Sequence, residues 1–170
     1  LTLESGKQTV GSVSSFFPFN ADGNYSPDYH FGMNMSIPFY INENGKDENN
    51  NPIKFEFSGD DDVWVFINGK LVLDIGGIHA AIGGSIDFAT GEVKYGFNKT
   101  NNVKVIKAGQ TTQTDAASTT LQKLGIDMAE LAKGENNLQI FYLERGAGKS
   151  NCKIKFNLQQ KDTLEVSKTL

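Results

Sequence analysis

The sequence predicts a mostly-β protein, an antiparallel β-sandwich with one or two short helices and long loops, on three observations. Glycines (18 of 170 residues) and Asn-rich turns are plentiful, while Ala- and Leu-rich helical stretches are few. Several segments alternate apolar and polar residues with a period of two, the pattern of a strand with one wet face. Phe supplies 12 of the aromatic residues, and an aromatic-rich core between two sheets is the simplest use for them.

The first clear strand carries Phe31, Met33, Met35, Ile37, Phe39 and Ile41 on one side, with mostly small or polar residues between. Residues 43–51 form an acidic, Asn-rich stretch read as a solvated loop. Ile53, Phe55 and Phe57 alternate with Lys54 and Glu56, and after a polar turn residues 63–67 run apolar on both faces. That run predicts a central strand covered on both sides, with Trp64 in the core.

Asn68-Gly69 then predicts a tight hairpin into Leu71-Val72-Leu73, because both turn residues must accept positive φ. A glycine-bracketed loop carrying His79 leads to a short hairpin of residues 85–88 and 92–95, turned by Thr90-Gly91. Residues 99–120 are polar, offer only residues 103–106 as a strand, and are expected to be the mobile region. Asp127 is placed to cap a short helix with Met128 and Leu131 on one face and Gly134 beyond its end. Strands at 138–143 and at Cys152, Ile154, Phe156 and Leu158 follow, the cysteine reading as an inert buried thiol. One domain over residues 1–162 is expected, with 163–170 as a linker to a following module.

Composition narrows the function. The net charge is -4 and the 16 basic residues are scattered, which lacks the footprint of a nucleic-acid binder. No apolar run approaches the roughly 20 residues needed to cross a bilayer, so no membrane insertion is expected. Leu1 has no initiator methionine or signal pattern ahead of it, which predicts a monomeric domain cut from a larger multidomain protein. The single cysteine excludes an intrachain disulfide framework.

Asp60-Asp61-Asp62 carries the chemistry. Adjacent carboxylates repel and raise one another's pKa, and a bound cation removes that conflict. Calcium suits an oxygen-rich site better than the softer metals, which call for His or Cys clusters. The competing reading is a solvated acidic turn in which one Asp caps the backbone and the others face water. A glycosidase needs two carboxyls flanking the scissile bond, which neighbours on one turn do not do, and no Ser-His-Asp or Cys-His arrangement is supported by spacing. No enzyme is expected. Tyr25, Tyr29 and Tyr95 are the candidates for exposed stacking aromatics.

The run from Phe55 through Gly59-Asp60-Asp61-Asp62-Val63-Trp64-Val65-Phe66-Ile67-Asn68-Gly69-Lys70 to Ile78-His79, with His30-Phe31-Gly32-Met33 upstream and Phe141-Tyr142-Leu143-Glu144-Arg145 downstream, resembles the fibro-slime domains. These belong to the protective-antigen-type β-sandwich superfamily, which includes the flocculin lectins. The resemblance implies a bacterial surface adhesin, extracellular or wall-anchored. It also implies that Asp60 and Asp61, at the positions of the cis-linked pair of the sugar-binding members, coordinate Ca2+ together with Glu144 and the carbonyls of Gly146 and Gly148. Glu144 stands where the flocculins carry an amide. The implied function is calcium-dependent binding of glycans on a host or neighbouring cell surface, with Asp60, Asp61, Arg145 and Lys149 touching the sugar, though Arg145 is equally a candidate structural partner for an aspartate. The alternative is a calcium-stabilised structural or protein-binding adhesin module that recognises no sugar.

Overall fold

In a computed structural model the chain is an antiparallel β-sandwich with one short helix. The structure describes residues 2–4, 7–10, 30–77, 79, 81–97, 104–105, 114–115, 117–145 and 152–159. In chain order the strands are β1 (Thr2–Glu4), β2 (Lys7–Val10), β3 (Phe31–Phe39), β4 (Lys54–Gly59), β5 (Asp62–Ile67), β6 (Lys70–Ile75), β7 (Ile82–Asp87) and β8 (Glu92–Phe97). They continue with β9 (Lys104–Val105), β10 (Thr114–Asp115), β11 (Ala117–Thr120), β12 (Asn136–Glu144) and β13 (Cys152–Phe156), with α1 (Met128–Leu131) before β12.

One sheet has the order β1-β2-β13-β4-β7-β8-β11 and the other β3-β12-β5-β6, while β9 and β10 make a separate ribbon. The inward alternation of each strand builds the core. Phe55 and Phe57 of β4, Ile82 and Ile86 of β7 and Ile154 and Phe156 of β13 face Ile37 and Phe39 of β3, Val63, Val65 and Ile67 of β5, and Leu138, Ile140 and Tyr142 of β12. The sheets approach closely at Gly84 of β7. A Cβ there would stand 2.4 Å from Ile75 Cδ1 and 2.7 Å from Leu73 Cδ2, so the absent side chain is what lets β6 lie against β7.

The Asn68-Gly69 hairpin joins β5 to β6, with φ of 50° and 79° at its two residues. Asn68 is fixed twice more, its Nδ2 donating to Asn136 Oδ1 and its Oδ1 accepting from Asn137 N. Asp127 caps α1 by accepting from Ala129 N, and the helix ends at Leu131 with Ala132 as its C-cap, so Gly134 lies beyond its end as expected. Cys152 is buried, and burial followed by the negative charge of Asp61, Asp60 and Glu144 pushes its thiol up to about 12.

Two expectations change. Strand β5 is central in its sheet but covered on one side only: Val63, Val65 and Ile67 are buried, while Trp64 and Phe66 are half-buried on the outer surface. Tyr95 packs against the core rather than standing free. Tyr25, Tyr29, most of the polar stretch 99–120 and the segment 163–170 lie outside the described residues.

Candidate functional site

The acidic turn is where the chain crosses from one sheet to the other. β4 belongs to the larger sheet and ends at Gly59, β5 belongs to the smaller and begins at Asp62, so Asp60 and Asp61 are the whole connection. The ends of β12 and β13 meet it there, since Leu143 pairs with Asp62 and Cys152 with Gly59. No peptide bond among the described residues is cis, so the Asp60–Asp61 bond is trans, unlike the cis-linked pair of the sugar-binding domains.

Asp62 is the anchor of this end. It is 3 % exposed, and its carboxylate faces the Arg145 guanidinium as a two-pronged pair, Oδ1 accepting from Nη2 at 2.9 Å and Oδ2 pairing with Nε. Oδ1 also accepts from Gly77 N at 2.6 Å. The loop after β6 is held close by a further bond from Gly76 N to Asp74 Oδ1 and by His79 Nε2 against the Ile75 carbonyl. One carboxylate therefore ties together the start of β5, the loop following β6 and the end of β12.

Asp61 and Glu144 point the other way, inward, and are 8 % and 2 % exposed. Tyr142 and Glu144 lie two apart on β12 and so share a face. The Tyr142 hydroxyl stands 3.2 Å from Asp61 Oδ2 and 3.1 Å from Glu144 Oε2. Asp61 Oδ1 accepts from Arg145 N at 3.3 Å. Burial first, then the hydrogen bond with Glu144, pushes the Asp61 carboxyl up to about 7, while the Arg145 amide pulls the other way. The phenol has a single proton to give, so the two acids are best satisfied when one of them carries a proton itself.

This arrangement brings together part of the expected ligand set. Asp61 and Glu144 converge, and Asp60 sits half-buried on the same turn. Gly146, Gly148 and Lys149 lie outside the described residues. Arg145 is engaged with Asp62 rather than presented to a ligand. The oxygens suit a hard cation, yet calcium takes about 6 to 8 of them, and among the described residues no group of three or more His, Cys, Asp or Glu side chains is disposed to hold a metal ion. Tyr142 and Gly77 carry no site expectation in the sequence, whereas pairing of Arg145 with an aspartate is one of the two roles the sequence leaves open for it, and here that aspartate is Asp62. Strict alternation back from Glu144 would have put Tyr142 beside it.

Protein psiF of Dictyostelium discoideum is 34% identical over 93% of this chain. This chain is similar to the psi proteins. Protein psiE is 49% identical over 37% of the chain and Protein psiP 31% identical over 78%, both from the same organism. The chain spans 21% of psiF, 11% of psiE and 12% of psiP, so it corresponds to a small part of each. No family model matches, and no solved structure matches. These findings overturn the assignment to a fibro-slime domain of a bacterial surface adhesin, and with it the calcium-dependent lectin function. The psi proteins matched are not bacterial.

Proposed function

We propose that this chain is a non-catalytic structural module of a longer extracellular protein, and that its acidic turn is an internal clasp rather than a binding site. The observation that carries the reading is Asp62, whose carboxylate is divided between Arg145 and the Gly77 amide. A carboxylate used this way holds three segments together at the point where the chain changes sheets. The small share that the chain makes up of psiF, psiE and psiP supports its working as one unit among others. The extracellular setting remains part of the proposal.

The test is thermal and denaturant unfolding of Asp62→Asn and Arg145→Gln, singly and combined. Each single change removes a charged hydrogen-bond partner and is expected to cost on the order of 2 kcal/mol. The double variant should cost less than the sum, because the two residues act as a pair. Single variants that unfold with the parent, or costs that simply add, would refute the clasp.

A second reading rests on Asp61 and Glu144, whose buried carboxyls converge on one hydroxyl. A calcium ion could stand in for the proton these acids hold between them, with water completing its shell. Calorimetric titration of calcium into metal-stripped chain decides it. Heat that disappears in Asp61→Asn supports a cation there, and no heat at millimolar calcium removes it.

A further inference from the structure

The outer face of the smaller sheet is apolar where a solvated surface is expected. Among the described residues the exposed large hydrophobic side chains are Leu71, Phe141 and Leu143, at 41%, 37% and 38%. All three lie on this sheet, with half-buried Trp64 and Phe66 between them. Phe66 and Phe141 meet edge to face at 5.6 Å. The register makes one continuous surface: Phe141 pairs with Trp64 and Phe66 with Leu71.

The size of this surface restricts its occupant. Three side chains exposed by about two-fifths amount to a patch of at most a few hundred Å2. A stable protein interface takes roughly 800 Å2 from each partner, so a second copy of the chain would be held too weakly. Something smaller, attached or nearby, fits better.

The same face carries the means of attachment. Asn34-Met35-Ser36 has the Asn-X-Ser pattern of an N-glycosylation acceptor, with Met at the middle position. Asn34 lies in the edge strand β3, is exposed, and pairs directly with Phe141 of β12. Adjacent strands lie about 4.8 Å apart. Asn34 is therefore one strand from Phe141 and two, or roughly 10 Å, from Trp64, which is within reach of the first two sugars of a glycan.

We propose that Asn34 is an N-glycosylation site and that its glycan lies across the Phe141–Trp64 surface. The proposal rests on the extracellular reading above. In the transfer, Asn34 Nδ2 displaces polyprenyl pyrophosphate from the anomeric carbon of a polyprenyl-pyrophosphate-linked oligosaccharide. The C–N bond forms as the C–O bond breaks, the amide loses one proton to a base, and polyprenyl pyrophosphate leaves. Transfer to the nascent chain precedes folding, so the bond that Ser36 Oγ donates to Asn137 in the folded sheet is no obstacle. Once the sheet forms, the apolar faces of the sugar rings cover the aromatic edges, and their hydroxyls face water.

The experiment is to produce the full chain through a eukaryotic secretory pathway behind an added signal sequence, then map its peptides by mass before and after treatment with a glycan-releasing amidase. The Asn34 peptide should carry a glycan mass that the amidase removes, leaving Asp at position 34. The mass should be lost in Asn34→Gln and Ser36→Ala and kept in Ser36→Thr. Asn24-Tyr25-Ser26 and Asn98-Lys99-Thr100 share the pattern and lie outside the described residues, which makes assignment by peptide necessary. A bare Asn34 overturns the site whatever the other two carry. The extracellular reading fails separately, if the natural protein is found inside cells rather than in the medium or at the surface. Trp64 is the sole tryptophan, so acrylamide quenching of its fluorescence reads coverage directly. Quenching should rise when the glycan is removed, and unchanged quenching overturns the covering role.

Discussion

Asp61 shows how burial rather than sequence decides what a carboxyl does. Its folded pKa is pushed up to about 7 from an ordinary value of 3.8, so the folded chain keeps a proton that the unfolded chain gives up. The contribution to stability is complete below about pH 4, is lost as pH rises towards 7, and stays absent above it. Denaturant melts across this window should therefore show stability falling with rising pH, and Asp61→Asn should flatten the fall. A parent chain equally stable at both ends would mean that Asp61 ionises freely in the fold. The triple aspartate is conspicuous in the sequence, and that it marks a special place was legible there. What was not legible is which aspartate takes which partner, Asp62 with Arg145 and Gly77 and Asp61 inward with Tyr142, because those partners are supplied by segments 15 to 83 positions away.

At the scale of elements, the strands that alternate or end in a definite turn were readable and the two-faced one was not. Residues 31–39, 54–59 and 152–156 follow their period, and Asn68-Gly69 turns as its φ preference requires. Strand β5 misled because Trp64 and Phe66 are apolar on a face that the fold leaves outside. An apolar residue states a preference, while the number of layers above it is a property of the whole. The contact of β6 with β7 was similarly hidden, since nothing marks Gly84 apart from its neighbour Gly83 until both sheets are in place. Gly84→Ala should cost about 1–3 kcal/mol, as the added methyl meets Leu73 and Ile75 in a filled core. Gly69→Ala offers the control: nothing stands within 4 Å of its Cβ, so its loss should come only from a φ of 79°. Gly84→Ala melting with the parent would show that the sheets have room to part.

For the molecule as a whole, the sandwich class was predicted by composition and period, but the assignment of source and role was not secured by motif resemblance, and comparison with the psi proteins corrected it. The fold itself supplies a reporter of its integrity. Cys152 is buried, with its thiol pushed up to about 12, so in the native chain it should react with a maleimide only as fast as the sandwich opens. Labelling should follow global unfolding across a denaturant series, and rapid labelling in native buffer would mean that the β4–β13 end opens by itself.

The crossing at Asp60-Asp61 has a mechanical side. Three Cα steps from Gly59 to Asp62 reach at most about 11 Å, and facing sheets stand about 10 Å apart. The link bends at both of its residues, and fully drawn out it can reach no further than that length. A pull that tried to slide one sheet over the other would be stopped at this link before the core could shear, and the module should yield abruptly, as a single body, rather than creep.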